Sequence, residues 1–202
     1  MKNILIVVDY QNDFVDPNGS LPVYDADKIS KNIQNKINDK KYENIIYTFD
    51  THTSDEYFKS DEQKIFPNIH CEFNTNGWNL FKIKPRNNKE FQIMVNNMNE
   101  PFNFYDINDE FFFTKNVFDI WNGNSIYPKW FENNFNKDEV IVIGVATNYC
   151  VFMNVMGLVK RGYKINIIED SVKGIKNFPD GSIDDSFDNN ISIMKNKNVN
   201  FI

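Results

Sequence analysis

Two cysteines, two histidines and a few charged residues at the ends of apolar runs are where chemistry could reside in this 202-residue sequence. Cys150 lies in "GVATNYCVFMNV", directly after the strand-like run "DEVIVIGV" and at what reads as the start of a helix. A thiol at such a junction is either an inert core residue, the usual fate of a lone cysteine, or a nucleophile whose thiolate is favoured by helix amides and a nearby cation. Lys115 ends the aromatic run "EFFFTK" and could supply the cation. Asp9 ends "NILIVVD" and could take the thiol proton and hand it to a departing amine. The pattern alone favours the plainer reading, in which Asp9 and Lys115 are a rim ion pair or simple strand-end polar residues.

Both histidines lie in the long segment after the second apolar run. "FDTH" sets Asp50 and His52 two apart in extended chain, so their side chains share a face. His70 follows in "FPNIHC". Two imidazoles and one carboxylate are a common set for a divalent ion with open positions for water or substrate, and Glu62 in "SDEQKIFP" is a candidate fourth ligand. Scattered surface histidines are the alternative, since no HExxH-type spacing is present. Cys71, beside His70, is a rival nucleophile without a helix start behind it, and a Cys71–Cys150 redox pair lacks C-x-x-C spacing.

The elements that must position these residues are short β-branched runs alternating with helical patterns. Strands are expected at Asn3–Asp9, Glu43–Asp50, Glu110–Lys115, Glu139–Val145, Lys164–Asp170 and Val199–Ile202. Helices are expected at about Ala26–Asp39, Ser125–Asn134, Cys150–Arg161 and Ser182–Lys195. Several strands are almost continuously apolar, as in sheets covered on both faces. Such alternation predicts right-handed crossovers and a mostly parallel, doubly wound sheet. Thr51 to Asp109 carries weak patterns, with one helix candidate in "NKEFQIMVNNM", and loops of that length usually serve a site. Asp9, Asp50, Lys115 and the Cys150 turn all fall at carboxyl ends of expected strands, the rim on which open parallel sheets bind ligands.

Length predicts one domain over residues 1–202, and 41% hydrophobic residues including 19 Phe suffice for a full core. A net charge of −6 without a Lys/Arg cluster argues against nucleic acid and anionic membrane surfaces. No apolar run reaches the roughly 20 residues of a membrane span. The opening "MKNILIVVDYQNDF" reads as a strand and not as a signal peptide, because Asp9 interrupts it. Two cysteines make no disulfide framework, so a reduced cytoplasmic setting is expected.

Together, "VVDYQNDFVDPNGSLPV", "FDTH", "FPNIHCEFNTNGW", "TKNVFDIW" and "GVATNYCV" resemble, in order, the isochorismatase-like cysteine hydrolases, and among them the nicotinamidase branch. The resemblance implies a Rossmann-like three-layer α/β/α sandwich with a six-stranded, mostly parallel sheet. It implies a catalytic Cys150–Asp9–Lys115 triad and an oxyanion hole from the N–H groups of Ala146 and Cys150 after a non-proline cis peptide at Val145–Ala146. It places a divalent ion, zinc first with iron or manganese as alternatives, on Asp50, His52 and His70, with Glu62 as the candidate for the further glutamate ligand that some members of the branch add. Phe14 and Phe66 are the expected aromatic walls of the substrate site. The implied reaction is hydrolysis of nicotinamide to nicotinate and ammonia through a thioester, with another small amide or ureido compound as the alternative substrate. The expected partners are that small amide and further copies of the chain, with no nucleic acid and no membrane. Three details differ from the branch pattern: Phe66 replaces a tryptophan in a motif one residue longer, Asn148 stands where many relatives carry aspartate, and "SDEQKIFP" is shared with other cysteine hydrolases of the superfamily.

Overall fold

A computed structural model describes residues 3–178 and 180–202. Its sheet has seven strands in the order β3-β4-β2-β1-β5-β6-β7. They are β1 (Asn3–Val8), β2 (Asn44–Asp50), β3 (Phe104–Ile107), β4 (Glu110–Lys115), β5 (Glu139–Val145), β6 (Lys164–Lys173) and β7 (Asn200–Phe201). All neighbours run parallel except β3 and β4. The helices are α1 (Asn12–Val15), α2 (Ser30–Asn38), α3 (Ser54–Tyr57), α4 (Asn88–Asn96), α5 (Ile120–Gly123), α6 (Tyr127–Asn134), α7 (Cys150–Lys160) and α8 (Ser186–Asn196).

The six expected strands are present, and β3 makes seven. The β3–β4 hairpin turns on Asn108 and Asp109, both with positive φ (50° and 67°). That conformation suits a two-residue turn, and Asn and Asp tolerate it best after glycine. Strand β3 is an edge with exposed Tyr105 and Asp106, which explains its weak apolar signal. Helix α8 begins at Ser186, not Ser182, because Asp184 is bonded to Asn148 and its N–H to Lys176 O, in non-helical backbone before the helix.

The period-2 alternation of strand side chains feeds two cores. Leu5, Val7, Ile141 and Ile143 face one core, joined by Ile33 and Ile37 of α2 and Phe91 of α4. Ile4, Ile6, Val140 and Val142 face the other, joined by Tyr127 and Phe131 of α6 and by Val151, Val155 and Leu158 of α7. Burying each such side chain contributes about 1.5–3 kcal/mol against chain entropy, so the central strands are rigid supports for the residues at their carboxyl ends. Gly144 lies one residue before the end of β5 with φ +115°, and a Cβ there would come within 2.1 Å of Val8 O. The sheet therefore closes tightly between β1 and β5, where the strand order reverses. Among the described residues, no helix is long and apolar enough to cross a membrane.

Candidate active site

Four strand ends converge as their positions suggested. Asp9 follows β1, Asp50 ends β2, Lys115 ends β4 and Cys150 opens α7 after β5. Lys115 Nζ lies 2.8 Å from Asp9 Oδ2, 2.9 Å from Asp50 Oδ1 and 3.5 Å from Cys150 Sγ. All are nearly inaccessible, with Asp9 0%, Lys115 3% and Cys150 5% exposed. The ion pair is thus real but is no rim feature: one buried ammonium joins two carboxylates and the thiol.

Asp9 takes a left-handed conformation (φ 43°) that turns the chain out of β1. Its Oδ1 accepts a 2.5 Å hydrogen bond from Thr48 Oγ1, leaving Oδ2 to face Lys115. Burial favours a neutral Lys115 amine, but Asp50 and Asp9 outweigh it and hold the ammonium well above its ordinary range. Burial also dominates at Cys150 and pushes its thiol well above the usual value; Lys115 pulls it down, and Asp9, Asp50 and Glu62 push it up again. The sequence suggested a thiolate preformed by Lys115. In the protein alone burial, with Asp9, Asp50 and Glu62 added to it, outweighs the pull of Lys115 and favours the protonated thiol.

The backbone beyond β5 contains the cis Val145–Ala146 peptide. Ala146 O accepts from Tyr149 N (3.0 Å) and Val151 N (3.2 Å), closing the turn into α7. The N–H groups of Ala146 and Cys150 donate to no other described residue, and first-turn helix amides commonly serve an external acceptor.

On the other side of Asp50 lie the two imidazoles. Asp50 Oδ2 is 2.9 Å from His52 Nε2 and 3.4 Å from His70 Nε2; Glu62 Oε1 is 3.1 Å from His70 Nε2. One ligand atom from each of Asp50, His52, Glu62 and His70 falls within 4.8 Å of the others, and all four residues are buried. Glu62 Oε2 is buried without a hydrogen-bond partner among the described residues, and lies 3.9 Å from His52 Nε2. Converging Nε2 atoms, two carboxylates and an orphaned oxygen fit a borderline divalent cation. The outer contacts fit too: His70 Nδ1 faces Asn68 O (3.2 Å) and the Tyr57 hydroxyl (3.3 Å), which orients Nε2 inward. His52 N donates to Cys71 O and Phe73 N to His52 O, lacing the segments that carry His52 and His70 together.

Burial lowers the pKa of His70, but hydrogen bonds to Asp50 and Glu62 prevail and raise it to about 9. A metal must displace that proton. Below about pH 9 the imidazole holds its proton in the metal-free chain, so apparent zinc affinity should rise with pH, by about tenfold per unit for a one-proton exchange, and flatten above pH 9. Calorimetric zinc titration in two buffers of different ionisation heat should find about one proton released per ion near neutral pH. Release of none would remove His70 from the ligand set.

The expected aromatic walls lie beside this cluster. The Phe14 ring centroid is 5.2 Å from that of His70, and Phe66 is 6.3 Å from His70 and 5.3 Å from Tyr149. Phe118 and Phe178 extend the same aromatic group, 6.2 and 6.4 Å from Phe66. Cys71 is fully buried and free, its thiol pushed well up by burial and by Asp50, Asp13 and Asp9. No disulfide joins it to Cys150.

Four supporting residues carry no signal in the sequence. Gln11 brackets the Asp50 backbone, donating to its carbonyl and accepting from its N–H at 2.8 Å each. Asp13 accepts from Cys71 N at 2.7 Å, and Gly77 leaves room for that carboxylate. Thr48 fixes the Asp9 carboxylate and Tyr57 the His70 ring. Gln11 and Asp13 sit inside "VDYQNDF", but their partners lie tens of residues away and no local pattern names them.

Residues 3–182 match the Isochorismatase domain family. The nicotinamidase of Saccharomyces cerevisiae is 26% identical over 205 residues, covering 87% of this chain and 90% of that protein. Among solved structures, the pyrazinamidase of Pyrococcus horikoshii in complex with zinc superposes with a TM-score of 0.73 at 25% identity, covering 100% of this chain and 99% of that one. A nicotinamidase from Bacillus subtilis shares the fold with a TM-score of 0.71 at 20% identity, over 100% of this chain and 99% of that one. By the extent of its sequence match and the architecture of its sheet, this chain belongs to the isochorismatase domain family.

Proposed function

We propose that this chain is a nicotinamidase, hydrolysing the carboxamide of nicotinamide to nicotinate and ammonia with Cys150 as nucleophile. The observation that carries the reading is the shared carboxylate of Asp50, which touches Lys115 through Oδ1 and His52 through Oδ2. The thiol cluster and the imidazole pair are thereby one site, as a reaction on a small heteroaromatic amide requires.

In the first half-reaction the Cys150 proton passes to Asp9 Oδ2, the oxygen not held by Thr48, as sulfur bonds to the carboxamide carbon. Lys115 offsets the negative charge on sulfur and on Asp9 throughout. The N–H groups of Ala146 and Cys150 donate to the developing oxyanion; in other enzymes losing one such donor costs about 10²–10³ in rate. Asp9 then protonates the leaving nitrogen, the C–N bond breaks, and ammonia departs from a thioester. In the second half Asp9 takes a proton from water as it attacks the thioester carbon; the C–S bond breaks and the proton returns to sulfur.

Asp50, His52, Glu62 and His70 would hold the divalent ion, and we assign zinc, with iron or manganese as alternatives. When bound, the ion supplies a Lewis-acid position for a ring nitrogen or water. Phe14 and Phe66 would bracket the ring and so fix the carboxamide over sulfur. Both cysteines are free, which suits a cytoplasmic enzyme.

Ammonia release across a small panel tests the assignment. Nicotinamide and pyrazinamide should turn over, whereas benzamide, lacking the ring nitrogen, should show kcat/KM lower by about 10²-fold or more, because a site built around a polar group rejects analogues without it. Preferential turnover of ureido compounds would move the substrate to the other small amides handled by cysteine hydrolases of this fold.

A further inference from the structure

The side chains of the two residues before the nucleophile meet at one buried carboxylate. Asp184 is 4% exposed and lies in the irregular segment before α8. Its Oδ2 accepts from Asn148 Nδ2 at 3.0 Å and from Tyr149 OH at 2.7 Å, and its Oδ1 accepts from Ser186 N at 2.9 Å. The Asp184 N–H donates to Lys176 O at 2.8 Å, so the residue is anchored through both its backbone and its carboxylate. We propose that Asp184 is a positioning residue for the nucleophile, fixing through Asn148 and Tyr149 the turn that sets Cys150 Sγ against Lys115. This rests on the reading of Cys150 as the nucleophile.

The chemistry of Asn148 carries the inference further. Its Oδ1 accepts from Ile175 N at 3.0 Å, while its Nδ2 faces Ile175 O at 3.0 Å as well as Asp184. The amide accepts on one side and donates on the other, which an ionised carboxylate cannot do. An aspartate at this position would set a second carboxylate against Asp184 and a further oxygen against Ile175 O. The amide of Asn148 therefore matches the acid of Asp184.

Tyr149 adds a second consequence. Its ring packs 5.3 Å from both Phe66 and Phe118, so the hydroxyl bond to Asp184 also fixes one member of that aromatic group. Asn190 Nδ2 donates to Asn148 O at 2.8 Å, tying α8 to the same turn. The Asp184 carboxylate touches neither thiol nor ammonium and acts on the reaction only through residues 148 and 149.

Three variants of the full-length chain test this: Asn148→Asp, the exchange Asn148→Asp with Asp184→Asn, and Tyr149→Phe. For each, melting temperature, iodoacetamide labelling rate of Cys150, and nicotinamide kcat per labelled thiol are measured. Asn148→Asp should lower both the labelling rate and kcat by about 10²-fold, the scale of an ångström-sized misplacement. The exchange should recover the part of that loss owed to the 148–184 contact, about tenfold, while the oxygen set against Ile175 O keeps the remainder. It swaps the two groups, so the new amide can donate to the new carboxylate and to Tyr149 OH while accepting from Ser186 N. Tyr149→Phe, which keeps the ring, should lower both rates by about tenfold, on the scale of a lost bond to a charged acceptor. If these variants lose only melting temperature, with labelling and kcat per thiol unchanged, Asp184 is structural support and the proposal is overturned. An exchange variant no better than folded Asn148→Asp overturns it as well. Should Asn148→Asp fail to fold, recovery in the exchange variant supports the proposal, and unchanged rates in Tyr149→Phe overturn it. Absence of nicotinamide turnover in the unaltered chain would instead strike the substrate assignment, and the labelling rates would still decide the role of Asp184.

Discussion

Cys150→Ala is expected to lower nicotinamide turnover by on the order of 10⁴-fold or more, the scale on which loss of a covalent nucleophile is felt. The substitution deletes one sulfur from a buried site and leaves Lys115 paired with Asp9 and Asp50, so circular dichroism and the melting transition should change little. Cys71→Ala should retain most activity. Cys71 serves the site through its backbone, its N–H bonded to Asp13 and its carbonyl to His52, and alanine keeps both. Its thiol opens no helix, and burial with three nearby carboxylates keeps it protonated. Measured ammonia release from the two purified variants separates the cysteines. Substantial turnover by a folded Cys150→Ala protein would transfer the chemistry to a hydroxide on the Asp50, His52 and His70 set, and the covalent mechanism would fall.

How far each element could be read from sequence depends on how local its signal is. Strands β1, β2, β4 and β5 were legible because both faces are covered and the apolar runs are nearly unbroken. Their carboxyl ends then located Asp9, Asp50, Lys115 and Cys150 without any knowledge of distances. Strand β3 was not legible, since an edge strand with exposed Tyr105 and Asp106 lacks the apolar signature. Ser182 lies outside α8 although the pattern extends to it, because Asp184 just before the helix is bonded to Asn148, far away in sequence. The sign of the charge balance at Cys150 was likewise a tertiary property. Lys115 alone would lower the thiol pKa, but burial by the folded chain, then Asp9, Asp50 and Glu62, act against it. Gln11, Asp13, Thr48 and Tyr57 share this character: each is an ordinary polar residue whose role exists only through a partner that folding supplies.

Asp50→Asn should move turnover and thiol reactivity in opposite directions. Asp50 is held by Gln11 through its backbone, so the isosteric amide should keep its place. What it loses is charge on two sides. Toward the imidazoles, the ligand set gives up the carboxylate whose Oδ2 lies 2.9 Å from His52 Nε2, and purified protein should carry far less than one ion per chain. Substrate positioning fails with it, and kcat/KM for nicotinamide should fall by on the order of 10³-fold, the scale of breaking a buried charge network. Toward the nucleophile the sign reverses. The Asp50 charge raises the Cys150 pKa, and Lys115, freed of one carboxylate, has more attraction left for sulfur. Iodoacetamide labelling of Cys150 near neutral pH should therefore become faster as activity disappears. His70→Asn supplies the contrast. It removes a ligand without touching Lys115, so metal and turnover should drop while labelling changes little. Elemental analysis, ammonia release and labelling rates on the two variants make the comparison. Slower labelling in Asp50→Asn would mean that the carboxylate orients Lys115 toward sulfur more than it competes for it; undiminished metal in both variants would place the ion away from Asp50 and His70 altogether.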